Sequence, residues 1–192
     1  MSGWLSPGFP PIGVFTGAET IAPVDTQASG GVAPQSASST LMQLATAFKW
    51  LNASADKTTV AGTRYYGSYA IGSPTLLTGI EVLVGGTGGT DNWIFELHDS
   101  TGALVATTAT AGTTAGTANT WQRIAFTSTY QAAAGTYYIA VQSNGTTAKP
   151  AVFSSPGLPI VSGSASGTFG TGAAITPPTT YTASLAPVAL VY

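Results

Sequence analysis

The chain is 192 residues long and 44% hydrophobic, yet only 6% of it is charged, with five Lys and Arg against seven Asp and Glu for a net charge of −2. Five scattered cations cannot line the phosphates of a nucleic acid, and so large a hydrophobic share excludes a highly charged disordered chain. No Cys and a single His exclude a thiolate zinc site, a disulfide, a cysteine nucleophile and a multi-histidine metal site.

Residues 1–37 carry Pro7, Pro10, Pro11, Pro23 and Pro34 among many glycines. Proline at this density blocks a helix interior and a central strand, so the segment cannot build a core. Its apolar residues stand singly or in pairs, as Trp4, Phe9, Ile12, Phe15, Ile21 and Val24 do. The expectation is an extended arm whose apolar side chains dock on a neighbouring surface; a free tail would have no use for Trp4, Phe9 and Phe15. Met1–Pro7 offers neither a basic nor an apolar region of a secretory leader, and no run approaches about 18 apolar residues. The chain is therefore expected to be made and used without export and without a membrane partner.

Over residues 38–62 the pattern changes to a short helix and a linker. Ser38 or Ser39 can cap the helix, and Leu41, Leu44, Ala45, Phe48 and Leu51 form one apolar stripe. Fourteen or so residues are too few for a helix stable by itself in water. The stripe is expected to pack on the following domain or on copies of itself, with a trimeric bundle one possibility.

From residue 63 to 192 the period falls to two. Candidate strands are Arg64–Ala70, Leu76–Val84, Trp93–His98, Ala103–Thr110, Trp121–Thr127, Thr136–Gln142, Ala151–Ser154 and Pro187–Tyr192. Asp99–Gly102 and Asn144–Gly145 read as hairpin turns, and the Gly-Thr tracts at 85–90, 112–117 and 163–172 as loops. About eight strands without intervening helices indicate a mainly β fold, an antiparallel β-sandwich of the jelly-roll kind. In the third strand Phe95 is expected to face the core.

Chemistry-bearing constellations are sparse. His98 shares a strand face with Glu96 and adjoins Asp99, but no serine stands in a nucleophile-elbow sequence, so it reads as a solvent-face histidine beside a turn. Glu81, Asp91, Glu96 and Asp99 could offer oxygens to one Ca²⁺, yet they lack a recognisable ligand spacing. No two acids are placed as a glycosidase pair. The tract Gly85–Thr90 lacks the Lys-Ser/Thr of a phosphate loop and leads to a strand. Tyr65, Tyr66, Tyr69, Tyr137 and Tyr138 could stack on a sugar, although alternation lets at most half of them reach one face. No catalytic residue, cofactor or metal is expected, and the chain reads as a non-enzyme.

Two resemblances extend this reading. Val14-Phe-Thr-Gly-Ala-Glu-Thr-Ile-Ala-Pro-Val-Asp-Thr26, followed by Gly30-Gly31-Val-Ala-Pro-Gln35, resembles a segment of tailed-bacteriophage virion proteins, with an extra Ala22-Pro23 before Val24. Leu77-Thr-Gly-Ile-Glu-Val82, Leu97-His-Asp-Ser-Thr-Gly102, Trp121-Gln-Arg-Ile-Ala-Phe126 and Ala134-Gly-Thr-Tyr-Tyr-Ile-Ala-Val141 resemble jelly-roll domains of the carbohydrate-binding-module type. Together they imply a virion structural protein assembled in the host cytoplasm. A capsid decoration (cement) protein is the leading expectation, with the major capsid protein or other virion proteins as partners and a homo-oligomer, a trimer above all. The alternatives are a head or tail fibre that touches a host surface glycan, and a secreted carbohydrate-binding module. A surface of Thr, Ser, Ala and Gly with so little charge suits a protein that lives against other proteins.

Overall fold

The computed structural model describes residues 54–154 and 160–192. They form eleven strands: β1 (Ser54–Asp56), β2 (Arg64–Ile71), β3 (Thr75–Leu83), β4 (Asn92–His98), β5 (Leu104–Thr107), β6 (Thr113–Thr114), β7 (Trp121–Ala132), β8 (Gly135–Ser143), β9 (Ala151–Phe153), β10 (Ser162–Ala165) and β11 (Ala189–Val191). Every pairing is antiparallel. One sheet runs β10-β2-β8-β4-β5 with β6 also on β4, a second runs β11-β3-β7, and β1 pairs with β9.

Alternation explains how the two larger sheets meet. Trp93, Phe95 and Leu97 of β4, Tyr137, Ile139 and Val141 of β8, and Tyr65 of β2 lie in one core with Ile80 and Val82 of β3, Ile124 and Phe126 of β7, and Val191 of β11. The register sets Phe95 beside Val141 and Val141 beside Tyr65, so three strands contribute one row to the same layer. Each such side chain removed from water contributes about 1.5–3 kcal/mol. Leu77 and Ile80 are an odd number of positions apart, yet both are buried in this core. A bulge between Leu77 and Gly79 absorbs the odd residue, as bulges do when a strand must re-aim its side chains. Gly79 is required there: a Cβ would stand 2.6 Å from the Ile124 carbonyl oxygen. At the sheet edges, the Thr127 hydroxyl donates to the Thr107 carbonyl at 3.1 Å and ties β7 to β5.

The eight expected strands are all present, with shifted ends. The fourth shortens to Leu104–Thr107 because the Phe95 N–H donates to the Thr108 hydroxyl and the ladder gives way to a side chain. The fifth runs on to Ala132. The last begins at Ala189, since Pro187 bridges Val152 and the Val188 N–H donates to the Ala151 carbonyl at 2.8 Å, which turns these two residues toward β9. Three strands carry no apolar alternation and escape a sequence reading: β1, inside the expected linker; β6, in the 112–117 tract; and β10, in the 163–172 tract. They exist because β9, β4 and β2 offer open edges. Asn144–Gly145 is not a hairpin turn, for β8 and β9 lie in different sheets. Its Asn144 side chain instead accepts the Asn92 N–H at 2.8 Å. The expected helix lies outside the described residues.

Candidate functional site

Both faces of β4 and β8 are buried. The inner face is apolar, whereas the outer face holds the polar residues that the sequence offers for chemistry. The register sets out that face in rows: Ile94–Gln142–Arg64–Ala165, then Glu96–Ala140–Tyr66–Gly163, with His98 beside Tyr138. Arg64 on β2 and Glu96 on β4 have β8 between them. Ala140, fully buried, stands opposite Glu96 on β8, and Gln142 stands opposite Arg64. Arg64 Nε donates to Glu96 Oε2 at 2.6 Å, with both side chains about 2% exposed.

The same carboxylate oxygen lies 3.3 Å from His98 Nε2, while His98 Nδ1 faces the Gly102 carbonyl at 3.3 Å. Gln142 Nε2 donates to the carbonyls of Gly62 at 2.6 Å and Thr168 at 3.2 Å. Arg64 Nη2 donates to the Thr171 carbonyl, and the Tyr66 hydroxyl to the Thr176 carbonyl at 3.3 Å. Burial raises the Tyr66 pKa. Residues 166–177 thus form an irregular strap across the outer face of the six-stranded sheet.

The expected solvent-face histidine is therefore corrected: His98 is 0% exposed, because the Asp99–Gly102 turn and the residues around it close over the ring. Both ring nitrogens face oxygen atoms already engaged in the fold, so neither is turned toward a hydroxyl awaiting activation. A sugar platform on the five tyrosines is corrected likewise. Tyr65, Tyr66, Tyr137 and Tyr138 are buried and Tyr69 is half-buried. Tyr65 and Tyr137 pack their rings in the core and use their hydroxyls at its margin, accepting the N–H groups of Val60 and Ala133, each at 3.1 Å.

The four acids considered for Ca²⁺ have separate employments. Glu81 pairs with Arg123 Nε at 3.2 Å, and the Arg123 guanidinium lies 4.3 Å from the centre of the Tyr192 ring. Asp91 Oδ2 accepts the Thr147 and Ala148 N–H groups, each at 2.7 Å. Asp99 folds back on its own turn, accepting from the Thr101 hydroxyl at 2.6 Å, which helps hold its pKa below the usual carboxylate range. Among the described residues no three metal-ligating side chains converge. The Gly85–Thr90 loop spends its N–H groups within the fold: Gly85 on the Lys149 carbonyl at 2.7 Å, Gly86 on Asp56 Oδ1 at 2.8 Å and Gly89 on the Ala115 carbonyl at 2.9 Å.

The arm residues Trp4, Phe9, Ile12, Phe15, Ile21 and Val24, and the helix residues Leu41, Leu44, Phe48 and Leu51, lie outside the described residues. Sequence reasoning found the Glu96–His98 spacing but missed Arg64 and Gln142. One signal was present: Arg64 opens a strand whose other residues are uncharged. No family model, no curated protein and no solved structure matches the chain.

Proposed function

We propose that the chain is a non-enzymatic structural protein of a tailed-bacteriophage virion, a capsid decoration protein anchored through its N-terminal arm. The observation that carries this reading is the stretch Val14–Thr26 with Gly30–Gln35, whose likeness is to virion proteins. In this reading the arm and a short helix at 38–53 hold the protein to the major capsid protein or to further copies, in a trimer, and a jelly-roll domain projects outward. Two features support it. The chain has few charges, as suits a permanent protein contact. Among the described residues, His98, Glu81, Asp91 and Glu96 are committed to partners inside the fold.

Deletion of residues 2–36 tests the anchor. The shortened and full-length chains are mixed with undecorated particles of the phage that encodes the protein, at low and at about 0.5 M salt. Exposed charge pairs are screened at that ionic strength and apolar docking is not. Binding of the full chain that survives salt, together with loss in the shortened one, is the expected result. Full binding by the shortened chain would place the anchor elsewhere. A copy number in the hundreds per particle supports decoration, whereas about a dozen or fewer supports a fibre.

A further inference from the structure

We propose that the face of the β11-β3-β7 sheet turned away from the common core is the seat of residues 38–53 of the same chain, which dock there through Leu44, Phe48 and Leu51. Val82 and Val84 lie in the core between the sheets, so Leu83 between them faces the other way. Leu83 belongs to a row that crosses several strands. The Val188 N–H donates to the Ala151 carbonyl at 2.8 Å, the Leu83 N–H donates to the Val188 carbonyl at 2.9 Å, and Leu83 is paired with Trp121. Ala151, Val188 and Leu83 are buried together, with the half-buried Trp121 and Phe153 packed against them. Leu190, beside Glu81 on the same face, is buried as well. An antiparallel sheet with one face in water carries polar residues on that face. Here the face carries an aliphatic row flanked by two large aromatic rings, the composition of a surface that packs against another element.

The path of the chain selects the occupant. Residues 38–53 lie outside the described residues, and the chain leaves them at Ser54, which the ladder sets directly opposite Phe153. Only Asn52 and Ala53 separate Leu51 from Ser54. Three residue steps span about 10 Å at most, so Leu51 stays in the neighbourhood of the Phe153 ring. The dimensions agree. The apolar stripe that the sequence reads on one side of a helix, Leu41, Leu44, Ala45, Phe48 and Leu51, runs about 15 Å at ~1.5 Å per residue. The row from Ala151 on β9 to Trp121 on β7 crosses three strand spacings, about 14 Å. The chemistry agrees too, since the stripe is uncharged and so short a helix holds together in water only when its apolar side is buried. A second copy could offer the same stripe, but only at its bulk concentration, whereas a tether of two residues holds the chain's own stripe at an effective concentration in the millimolar range or above. The inference goes beyond the virion reading and does not depend on it: the segment seats the N-terminal arm on its own domain whatever the arm then binds.

Nuclear magnetic resonance of the full chain, isotopically labelled at leucine methyl groups and aromatic rings, tests this. The expected result is contact of the Leu44 methyl groups and the Phe48 ring with the Leu83 methyl groups and the Trp121 ring. The signals should keep their intensity per labelled chain when labelled protein is diluted into an excess of unlabelled protein, as contacts within one molecule do. Leu44→Asp combined with Phe48→Asp should abolish them and lower the urea midpoint, while contacts between Phe95 and Val141 persist. The proposal is overturned if residues 38–53 touch neither Leu83 nor Trp121, if the contacts fade in proportion to dilution, which would make a second copy the occupant, or if the double variant keeps the wild-type midpoint. Should that variant not fold, the dilution experiment on the wild-type chain decides alone.

Discussion

Phe95 is fully buried at the centre of β4, with Trp93 as its tilted aromatic neighbour at 6.3 Å between ring centres. Phe95→Ala is expected to cost about 3–5 kcal/mol in urea unfolding, the range for emptying an aromatic core site. A loss below about 1 kcal/mol would mean that the layer closes over the gap. Ala140 makes the opposite case, a fully buried small residue opposite Glu96 on the strand that separates Arg64 from that carboxylate. Ala140→Leu should cost about 1–3 kcal/mol by overpacking. It should also disturb the Arg64 and Glu96 side-chain resonances, which a change confined to the inner layer would leave alone. The tyrosines report burial through pH. Burial pushes the Tyr69 phenol up to about 12, and it raises those of Tyr66, Tyr130, Tyr181 and Tyr192 as well. A phenol whose folded pKa lies above the unfolded value, about 10, favours folding fully below pH 10. That contribution is lost as pH rises through about 12 for Tyr69. Ultraviolet absorbance during alkaline titration should show a fraction of the eight tyrosines ionising late, and denaturant should bring them back to the ordinary range.

At the scale of elements, the Asp99–Gly102 turn does more than join β4 to β5. Gly102 has φ +87°, and a Cβ there would stand 2.1 Å from the Ile175 carbonyl oxygen. Its own carbonyl receives the Ile175 N–H and faces His98 Nδ1. Gly102→Ala therefore strains the backbone and pushes on the strap at once. Such φ strain alone costs about 1–3 kcal/mol. The expected outcome is destabilisation of at least that size by urea unfolding, with Ile175 the first side chain to lose its ordered contacts. A neutral result would show that the turn shifts at little cost. In the second layer, the Leu77–Gly79 bulge and the opposing excess of residues in β7 bend the long outer strand. A bent edge is a poor template for another strand, which matters on a surface with few charges to prevent edge pairing.

For the whole molecule, the short β1 belongs to the β-domain and is tied to it by side chains as well as by its ladder. Asp56 accepts from Gly86, and the Thr59 hydroxyl donates to the Gly145 carbonyl at 2.8 Å. The sequence reading began the domain near residue 63, a start that would cut away both ties. A chain beginning at Ser54 is expected to unfold in one cooperative step. One beginning at Ala61 should show a lower urea midpoint, because β9 then loses its β1 partner and Asp56 leaves the Gly85–Gly86 loop. Equal midpoints would show that β1 is an ornament of the fold.

The sequence by itself determined the mainly β character, the eight main strands and the inward face of β4. Those features rest on local alternation of apolar residues, which each strand carries within its own few positions. It also brought Glu96 and His98 onto one face, since residues two apart on a strand always share one. Only the tertiary structure decided that this face is covered. Whether a strand face meets water depends on a segment some 70 residues away, and that segment is mostly Gly, Thr, Ser and Ala, with Phe169, Ile175 and Pro177 too far apart to form an alternating pattern that would mark what it lies upon. For the same reason Arg64 could not be matched with Glu96 from the sequence. Their meeting requires β2, β8 and β4 to be neighbours in that order, and strand order follows from how the two sheets bury their common core.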